Sequence, residues 1–549
     1  MKKKWIVADR QADDLIEHLL KVRGIADKDR FLHPQFEHRH DQHLLIGLPQ
    51  ATMRISKALK DQEIIGLYGD YDCDGIPGTA LMYQALVALG ATPKVYIPTR
   101  EAGYGLSNQG IDILKSQGVK VLITIDNGTT AYDQINYAQS LGIDVIVTDH
   151  HEPHGVLPKA IILNPKLEHN TYPFSELCGT GVIYKLLESL SKQFPDRLSE
   201  TWLKWHLDLV ALATICDMVE LTGENRIFTK FGMTVLQKTR NIGLQALLAV
   251  AGADQKVVSV GTVGFGIGPR INAAGRMDSD PLLGFTLLTT NDQAEALRIA
   301  NELHRLNLER QQLVIGAVNQ AEGLLQTEST APAIALQNSA WTPGILGLIA
   351  SKLLERYHKP VFIFNASSGK GSARSISDYP LPASMEYLSE HFVGYGGHAL
   401  AGGMTLKQDA FSLFKRHLYD HAGQVLGPEE RQPQLHIDAE IKLPEISTGL
   451  TKQLADLEPY GIGNPRPLFL VDNVSVEEVR LIGSASKHVR GIVAGDGLRV
   501  PFVAFGMGER KADFRERMPL RLAGKVEENT WNGSTKAELH VVDVDAGRV

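Results

Sequence analysis

The residues able to do chemistry concentrate in four short stretches: Asp70-Tyr71-Asp72-Cys73-Asp74-Gly75, Asp126-Asn127-Gly128, Asp149-His150-His151 and Asp217. In the first, carboxylates on alternate residues follow the apolar run 64–69, and in an extended chain side chains two apart point the same way. Asp70, Asp72 and Asp74 are therefore expected to converge at a strand end, where a divalent cation relieves their mutual repulsion. Carboxylates without thiolates suit hard ions such as Mg2+ or Mn2+. Two other readings stay open for this stretch alone, a solvated acidic turn and a calcium loop. Against the calcium loop, Gly75 falls at the glycine position but Leu81 stands where the terminal bidentate glutamate belongs.

Alternating apolar strands and helices between about residues 52 and 215 must position these stretches, the pattern of a parallel sheet covered on both faces. After the first strand, Thr79 to Leu89 reads as a helix ended by Gly90. A second strand, Lys94 to Ile97, runs into the glycine-punctuated loop 98–105 with its single arginine, Arg100. A third, Val119 to Ile125, ends in Asp126, and a fourth, Asp144 to Thr148, ends in Asp149-His150-His151. Ligands in open α/β sheets gather outside the carboxyl ends of the strands, so three strands ending in metal-type side chains point to one site. The apolar segment Leu207 to Ile215 adds Asp217. Asp72, Asp74, Asp126, His150 and Asp217 then supply ligands for two ions sharing a bridging aspartate. Two ions about 3.5–4 Å apart activate water and stabilise the leaving oxygen in phosphoester cleavage.

Composition sets the frame. With 549 residues and 43% hydrophobic content the chain reads as roughly three to four globular domains. Cys73, Cys178 and Cys216 are odd in number and far apart, which argues against a disulfide framework and a thiolate zinc site and for a cytoplasmic protein. Acidic residues soon after Lys2-Lys3-Lys4 leave no signal-peptide core, and no apolar run is long enough to span a membrane. A net charge of −7 does not exclude nucleic acid, because a metal-dependent nuclease needs an acidic centre and net charge hides a local basic groove. His33, His38, His40 and His43 fit no helical ligand pair and flank Pro34, so they read as surface loop.

In order and spacing, the four stretches resemble the successive motifs of the DHH phosphoesterase family. The run Gly268-Pro269-Arg270-Ile271-Asn272-Ala273-Ala274-Gly275-Arg276-Met277 is similar to the signature of that family's branch of single-strand-specific 5′ to 3′ exonucleases. The resemblance implies that Asp72, Asp74, Asp126, His150 and Asp217 hold two Mn2+ or Mg2+ ions, with Asp70 and His151 completing the site and His151 near the scissile phosphate. Arg100, Arg270, Asn272 and Arg276 are substrate-binding candidates, and Arg100, Arg276, Ser372 and Arg374, drawn from both halves of the core, are expected to gather and read a 5′-phosphate. The resemblance also implies a role in DNA repair and recombination, with single-stranded DNA as partner and a single-strand-binding protein and a helicase as candidate protein partners. One departure is Tyr68, four residues before Asp72, where many relatives carry a metal-binding histidine.

Residues 291–325 carry apolar side chains at helical spacing, and the resemblance makes this a linking helix. A second α/β unit follows, with strand Ala333 to Gln337, helix Gly344 to Tyr357 and strand Pro360 to Phe364. In the extended segment Lys370-Gly371-Ser372-Ala373-Arg374, Lys370, Ser372 and Arg374 share one side, which suits an anion. The glycine-rich run 394–403 offers His398. Together these resemble the DHHA1 domain that grips substrate. The last 120 residues alternate as five β-strands, with a hairpin at Asn532-Gly533, and fit an OB barrel in which Lys487, Arg490, Arg499, Phe502 and Trp531 are candidate contacts. The expected division is 1–51 N-terminal segment, 52–225 DHH domain, 226–328 helical connector, 329–428 DHHA1 domain and 429–549 OB-like domain. The alternative function is a DHH phosphodiesterase acting on short oligonucleotides or cyclic dinucleotides. Such relatives lack the C-terminal barrel.

Overall fold

The computed structural model describes residues 3–100, 103, 105–325, 331–427, 432–514, 518–531 and 533–545. Glu101, Ala102, Tyr104, Asn532 and the side chain of Trp531 lie outside this description. The chain divides into two compact units: residues 40–219 with 231–432, and residues 2–39 with 220–230 and 433–549.

The first unit carries two sheets. Strands β1 (Ile64–Gly69), β2 (Lys94–Tyr96), β3 (Val119–Ile125), β4 (Asp144–Thr148) and β5 (Ile161–Leu163) form an all-parallel sheet in the order β2-β1-β3-β4-β5. All but one residue of β3 is buried, because helices cover both faces. Helix α1 (Gly75–Ala88) follows β1, and α2 (Gly179–Gln193) and α3 (Leu207–Cys216) pack against it. The short edge strand β5 has no counterpart in the sequence reading.

Beyond helix α4 (Gly268–Arg276), the 33-residue helix α5 (Gln293–Leu325) leads to the second sheet. That sheet contains β6 (Ile334–Gln337), β7 (Val361–Phe364), β8 (Lys370–Arg374), β9 (Phe392–His398) and β10 (Ala401–Leu406), in the order β9-β10-β8-β7-β6. Only β6 and β7 pair in parallel. Helices α6 (Pro343–Tyr357) and α7 (Phe411–Leu426) bury their apolar faces with it, Phe414 of α7 lying edge-on to Phe362 and Phe364. At Gly344 any side chain would meet the Arg276 main chain, its β-carbon falling 1.9 Å from the carbonyl oxygen, so only glycine lets α6 start against the end of α4.

The second unit is built on a five-stranded barrel of β11 (Phe469–Ile482), β12 (His488–Gly495), β13 (Leu498–Ala504), β14 (Leu520–Trp531) and β15 (Ser534–Asp545), closed by pairing of β11 with β14. Closure removes sheet edges and buries Phe469, Val476, Phe502, Leu522 and Leu539 inside. Residues Lys4–Val7 pair in parallel with Gln434–Ile437, a segment far along the chain that precedes the barrel. Arg226 secures the same unit, with hydrogen bonds to the carbonyls of Phe31, Asp456, Leu457 and Glu458. The α/β architecture with a long helix and a terminal barrel agrees with expectation.

Candidate metal centre

β1 stops at Gly69, and the chain then turns into α1, so Asp70, Asp72 and Asp74 do not share one face of an extended strand as expected. Local capping explains the turn. Asp72 Oδ1 accepts the main-chain N–H groups of Asp74 and Gly75 at 2.9 and 3.0 Å. Asp74 is swung the other way, accepting the N–H groups of Gly179 and Thr180 at 2.6 and 2.8 Å, where the positive end of α2 favours a carboxylate.

The carboxylates consequently fall into overlapping groups. Ligand atoms of Asp70, Asp72 and Asp126 lie within 4.8 Å of one another, as do those of Asp74, His150 and Asp217, and those of Asp126, His150 and His151. Asp126 follows β3 in the left-handed region, φ 63°, unusual for a residue with a side chain. Its Oδ1 stands 3.2 Å from His150 Nε2, which is 3.5 Å from Asp217 Oδ2 and 3.8 Å from Asp74 Oδ2. Asp217 arrives from the C-terminal end of helix α3, so one candidate ligand comes from a helix and the others follow the ends of β1, β3 and β4.

Burial raises the carboxyls of Asp70, Asp126 and Asp217 well above the ordinary range, and neighbouring aspartates add to it: Asp72 for Asp70, Asp74 and Asp72 for the other two. Burial pushes His150 the other way, which favours the neutral, ligating imidazole. Asp70 Oδ1 and His150 Nε2 are buried without a hydrogen-bond partner among the described residues. Hard oxygen donors with one or two imidazoles, several of them orphaned, fit divalent Mn or Mg.

Asp149 has a separate task that its place in the motif did not reveal. Its Oδ1 accepts from His151 Nδ1 at 2.7 Å and from the His150 N–H at 2.8 Å, and Oδ2 accepts from the Thr129 N–H at 2.9 Å. Burial alone would lower His151, but the bond and charge of Asp149 outweigh it and raise the imidazole above its ordinary value. Asn164 fixes the same corner, donating to Thr129 Oγ1 and the His151 carbonyl, each at 2.9 Å. Tyr68 takes no part in the acidic cluster: it is fully buried, and its hydroxyl accepts the Ser107 N–H at 3.1 Å.

A positive counterpart lies in the same unit. Arg276 is pushed down to about 10 by burial, then by Arg100 and Arg310, with Arg374 contributing. Arg374 is lowered by burial and by Arg100, and its Nη1 donates to Ser372 Oγ at 3.2 Å. Thus Arg100, Arg276, Ser372 and Arg374 come together as expected, joined by Arg310 of α5, which sequence reading missed. Arg310 donates to Asn307 while its Nε is buried with no hydrogen-bond partner among the described residues.

Other candidates stand apart. Arg270 is pinned to His304 Nδ1 at 3.0 and 3.2 Å, a structural tie between α4 and α5, while Asn272 lies partly exposed on α4. His398 is exposed and opposite Ala401, which is opposite Arg374 in the next strand, so it stands about 10 Å from Arg374 across two strand spacings. In the barrel Phe502 is fully buried and stacks on Phe514, Arg490 pairs with Glu538, and Arg499 pairs with Glu477 and Glu478; Lys487 is exposed. Barrel closure takes Phe502 inward, so it offers no stacking surface.

Comparisons with known proteins agree with the fold and its three domains. Residues 64–214 match the DHH family N-terminal domain, 330–422 the DHHA1 domain and 437–543 the RecJ OB domain. The single-stranded-DNA-specific exonuclease RecJ of Bacillus subtilis (strain 168) is 35% identical over 558 residues, covering 99% of this chain and 69% of that protein. The protein of the same name from Escherichia coli (strain K12) is 33% identical, covering 91% of this chain and 90% of its own. The crystal structure of RecJ in complex with Mn2+ from Thermus thermophilus superposes with a TM-score of 0.85 at 28% identity, covering 100% of this chain and 80% of that one. The Mg2+ complex from the same source gives 0.76 at 27% identity, covering 100% and 79%.

Proposed function

The chain belongs to the RecJ family, and from that premise we propose that it hydrolyses single-stranded DNA from the 5′ end, using two Mn2+ or Mg2+ ions. The observation that carries the reading is the double membership of Asp126, which shares ligand distance with Asp70 and Asp72 on one side and with His150 and His151 on the other. Asp126 would be shared between the two ions, with Asp72 and Asp70 holding one and Asp74, His150 and Asp217 the second. When bound, the ions supply a water-derived nucleophile at neutral pH and offset charge on the leaving oxygen.

The chain's own residues do the rest. Asp149 holds His151 by Nδ1, so that Nε2 is the nitrogen presented to a phosphate oxygen, and Asn164 keeps that histidine's main chain in place. Arg100, Arg276, Arg310, Arg374 and Ser372 bind a terminal 5′-phosphate as a second anion site, which sets the direction of digestion. Residues 52–225 act as the catalytic domain, 226–328 as connector, 329–428 as the substrate grip and 429–549 as an accessory grip on the strand. The protein works in the cytoplasm in DNA repair and recombination, with a single-strand-binding protein and a helicase as partners. Among the described residues no helix is long and apolar enough to cross a membrane.

Time-resolved sizing of products from single strands labelled at either end, in Mn2+, tests the reading. Mononucleotides released first from the 5′ end support it. Release from the 3′ end, or cleavage confined to very short oligonucleotides or cyclic dinucleotides, overturns it.

A further inference from the structure

A second cluster of ligand-type side chains sits on the other sheet of the first unit and shares no residue with the acidic centre. His391 closes a single 3-10 turn, Ser389–His391, just before β9, while His417 lies on α7. His391 Nε2 and His417 Nδ1 face each other at 3.0 Å, and Glu390 Oε1 lies 3.5 Å from the first and 3.3 Å from the second. In a tetrahedral zinc shell with bonds of about 2.0–2.1 Å, neighbouring donor atoms stand about 3.3 Å apart. The three separations match that spacing. We propose that His391, His417 and Glu390 form a zinc-binding site separate from the catalytic ions.

The surroundings suit this assignment. His391 is buried, held by its N–H to the Leu388 carbonyl and by its carbonyl to the Lys407 N–H, so the donor nitrogen is fixed before an ion arrives. Lys407 directs its ammonium to the Glu390 main-chain carbonyl at 2.7 Å. The cluster opens on a cavity of about 600 Å³ lined by Tyr387, Glu390, His417, Asp420 and Gln424. The fourth position is therefore open to water or to Asp420, one turn along α7 from His417. Two imidazoles and one carboxylate favour zinc over Mn2+ or Mg2+ by ligand type and by the order of divalent affinities, whereas the acidic centre offers mostly oxygen. An ion here ties the start of β9 to α7.

Metal-stripped full-length protein is titrated with Zn2+ against a chromophoric chelator, beside His417→Ala and Glu390→Gln, with Co2+ absorption reporting coordination. The acidic centre also takes these ions, so the readout is the difference between proteins. Wild type is expected to bind one more tight zinc than His417→Ala, with Mn2+-dependent exonuclease rates equal within roughly twofold. Glu390→Gln, an exposed change that leaves the core intact, is expected to weaken that zinc by roughly the 10- to 100-fold that even an outer-shell loss costs. Equal zinc number and affinity in wild type and Glu390→Gln overturns the site and leaves a plain histidine–histidine hydrogen bond. If His417→Ala does not fold, the Glu390→Gln result decides alone.

Discussion

The end of the parallel sheet and the C-terminal barrel treat buried acids in opposite ways. At the sheet end Asp70, Asp126 and Asp217 are held above their ordinary range by burial and by one another. In the barrel Glu538 is held below its ordinary value, first by its bond to His540 and also by Arg490 and Asn529, and Asp543 accepts from Arg510 and Trp5. Acids whose burial and mutual repulsion outweigh the cations near them, Arg100 and His151 for Asp70 and Lys166 for Asp217, mark a place for an ion from outside, whereas acids hydrogen-bonded to an arginine belong to the scaffold.

The sharpest way to break this contrast is Asp126→Ala. Turnover in Mn2+ is expected to fall about 1,000-fold or more, on the scale of losing a principal electrostatic element. Without metal the melting temperature should rise, since a buried like charge is gone, and its increase on adding Mn2+ should shrink. Appreciable residual turnover sinks the bridging role.

Asp208 sharpens it, being a buried acid whose partner is a hydroxyl. Burial lifts it to about 6 from 3.8, with Thr239 Oγ1 2.5 Å from its Oδ2 pulling the other way. The folded state therefore holds this proton more tightly than the unfolded chain. The stability it contributes is full below about pH 4 and lost as pH rises through 6, about 3 kcal/mol across that window. Asp208→Asn should gain stability over wild type at pH 8 and much less at pH 5. The same melting difference at both values would remove Asp208 from the contrast.

In the barrel the sign should reverse. Arg490→Ala leaves Glu538 with His540 and Asn529 only, and half-exposure of the arginine limits the cost to about 2 kcal/mol. The barrel's urea transition should move down while cleavage of short oligonucleotides is unchanged. Stabilisation by this change would erase the distinction between the two regions.

How much of this was legible differs from place to place, for physical reasons. The runs 119–125 and 144–148 match β3 and β4 end to end, because strands buried on both faces stop abruptly where polar residues begin. The acidic turn after β1 was misread because period-two reasoning carried the strand past Gly69, although Asp72 and Gly75 are turn-forming residues. Helical periodicity identified α5 but not what Arg310 faces, since a face is local and its opposite wall lies far along the chain. The pairing of Lys4–Val7 with Gln434–Ile437 left no local signal at all. The hairpin between β14 and β15 was visible in Asn532-Gly533, and Trp531 pairs with Ser534 across it.

The smallest expected effect concerns the arginines, the positive mirror of the sheet end. Burial lowers the Arg276 guanidinium first, then Arg100 and Arg310, with Arg374 contributing, and burial and Arg100 lower that of Arg374. Four such charges gathered in one place are stabilised by an anion, and a 5′-phosphorylated strand brings one at its end. A terminal monophosphate carries more charge than an internal diester, so a fork of arginines distinguishes an end from the middle of a strand. The acidic centre cannot do so, because the phosphodiesters it acts on recur along the strand. Wild type should therefore digest 5′-phosphorylated strands about tenfold faster than 5′-hydroxyl strands at limiting substrate, about 1.4 kcal/mol of discrimination. Arg310→Ala and Arg374→Ala should bring the two substrates together by slowing only the phosphorylated one. The metal-free melting temperature of each variant should stay level or rise, as for removal of any crowded like charge. If both variants keep the wild-type preference, the arginines are scaffold like those of the barrel, and unpaired charge ceases to be a sign of function on the positive side.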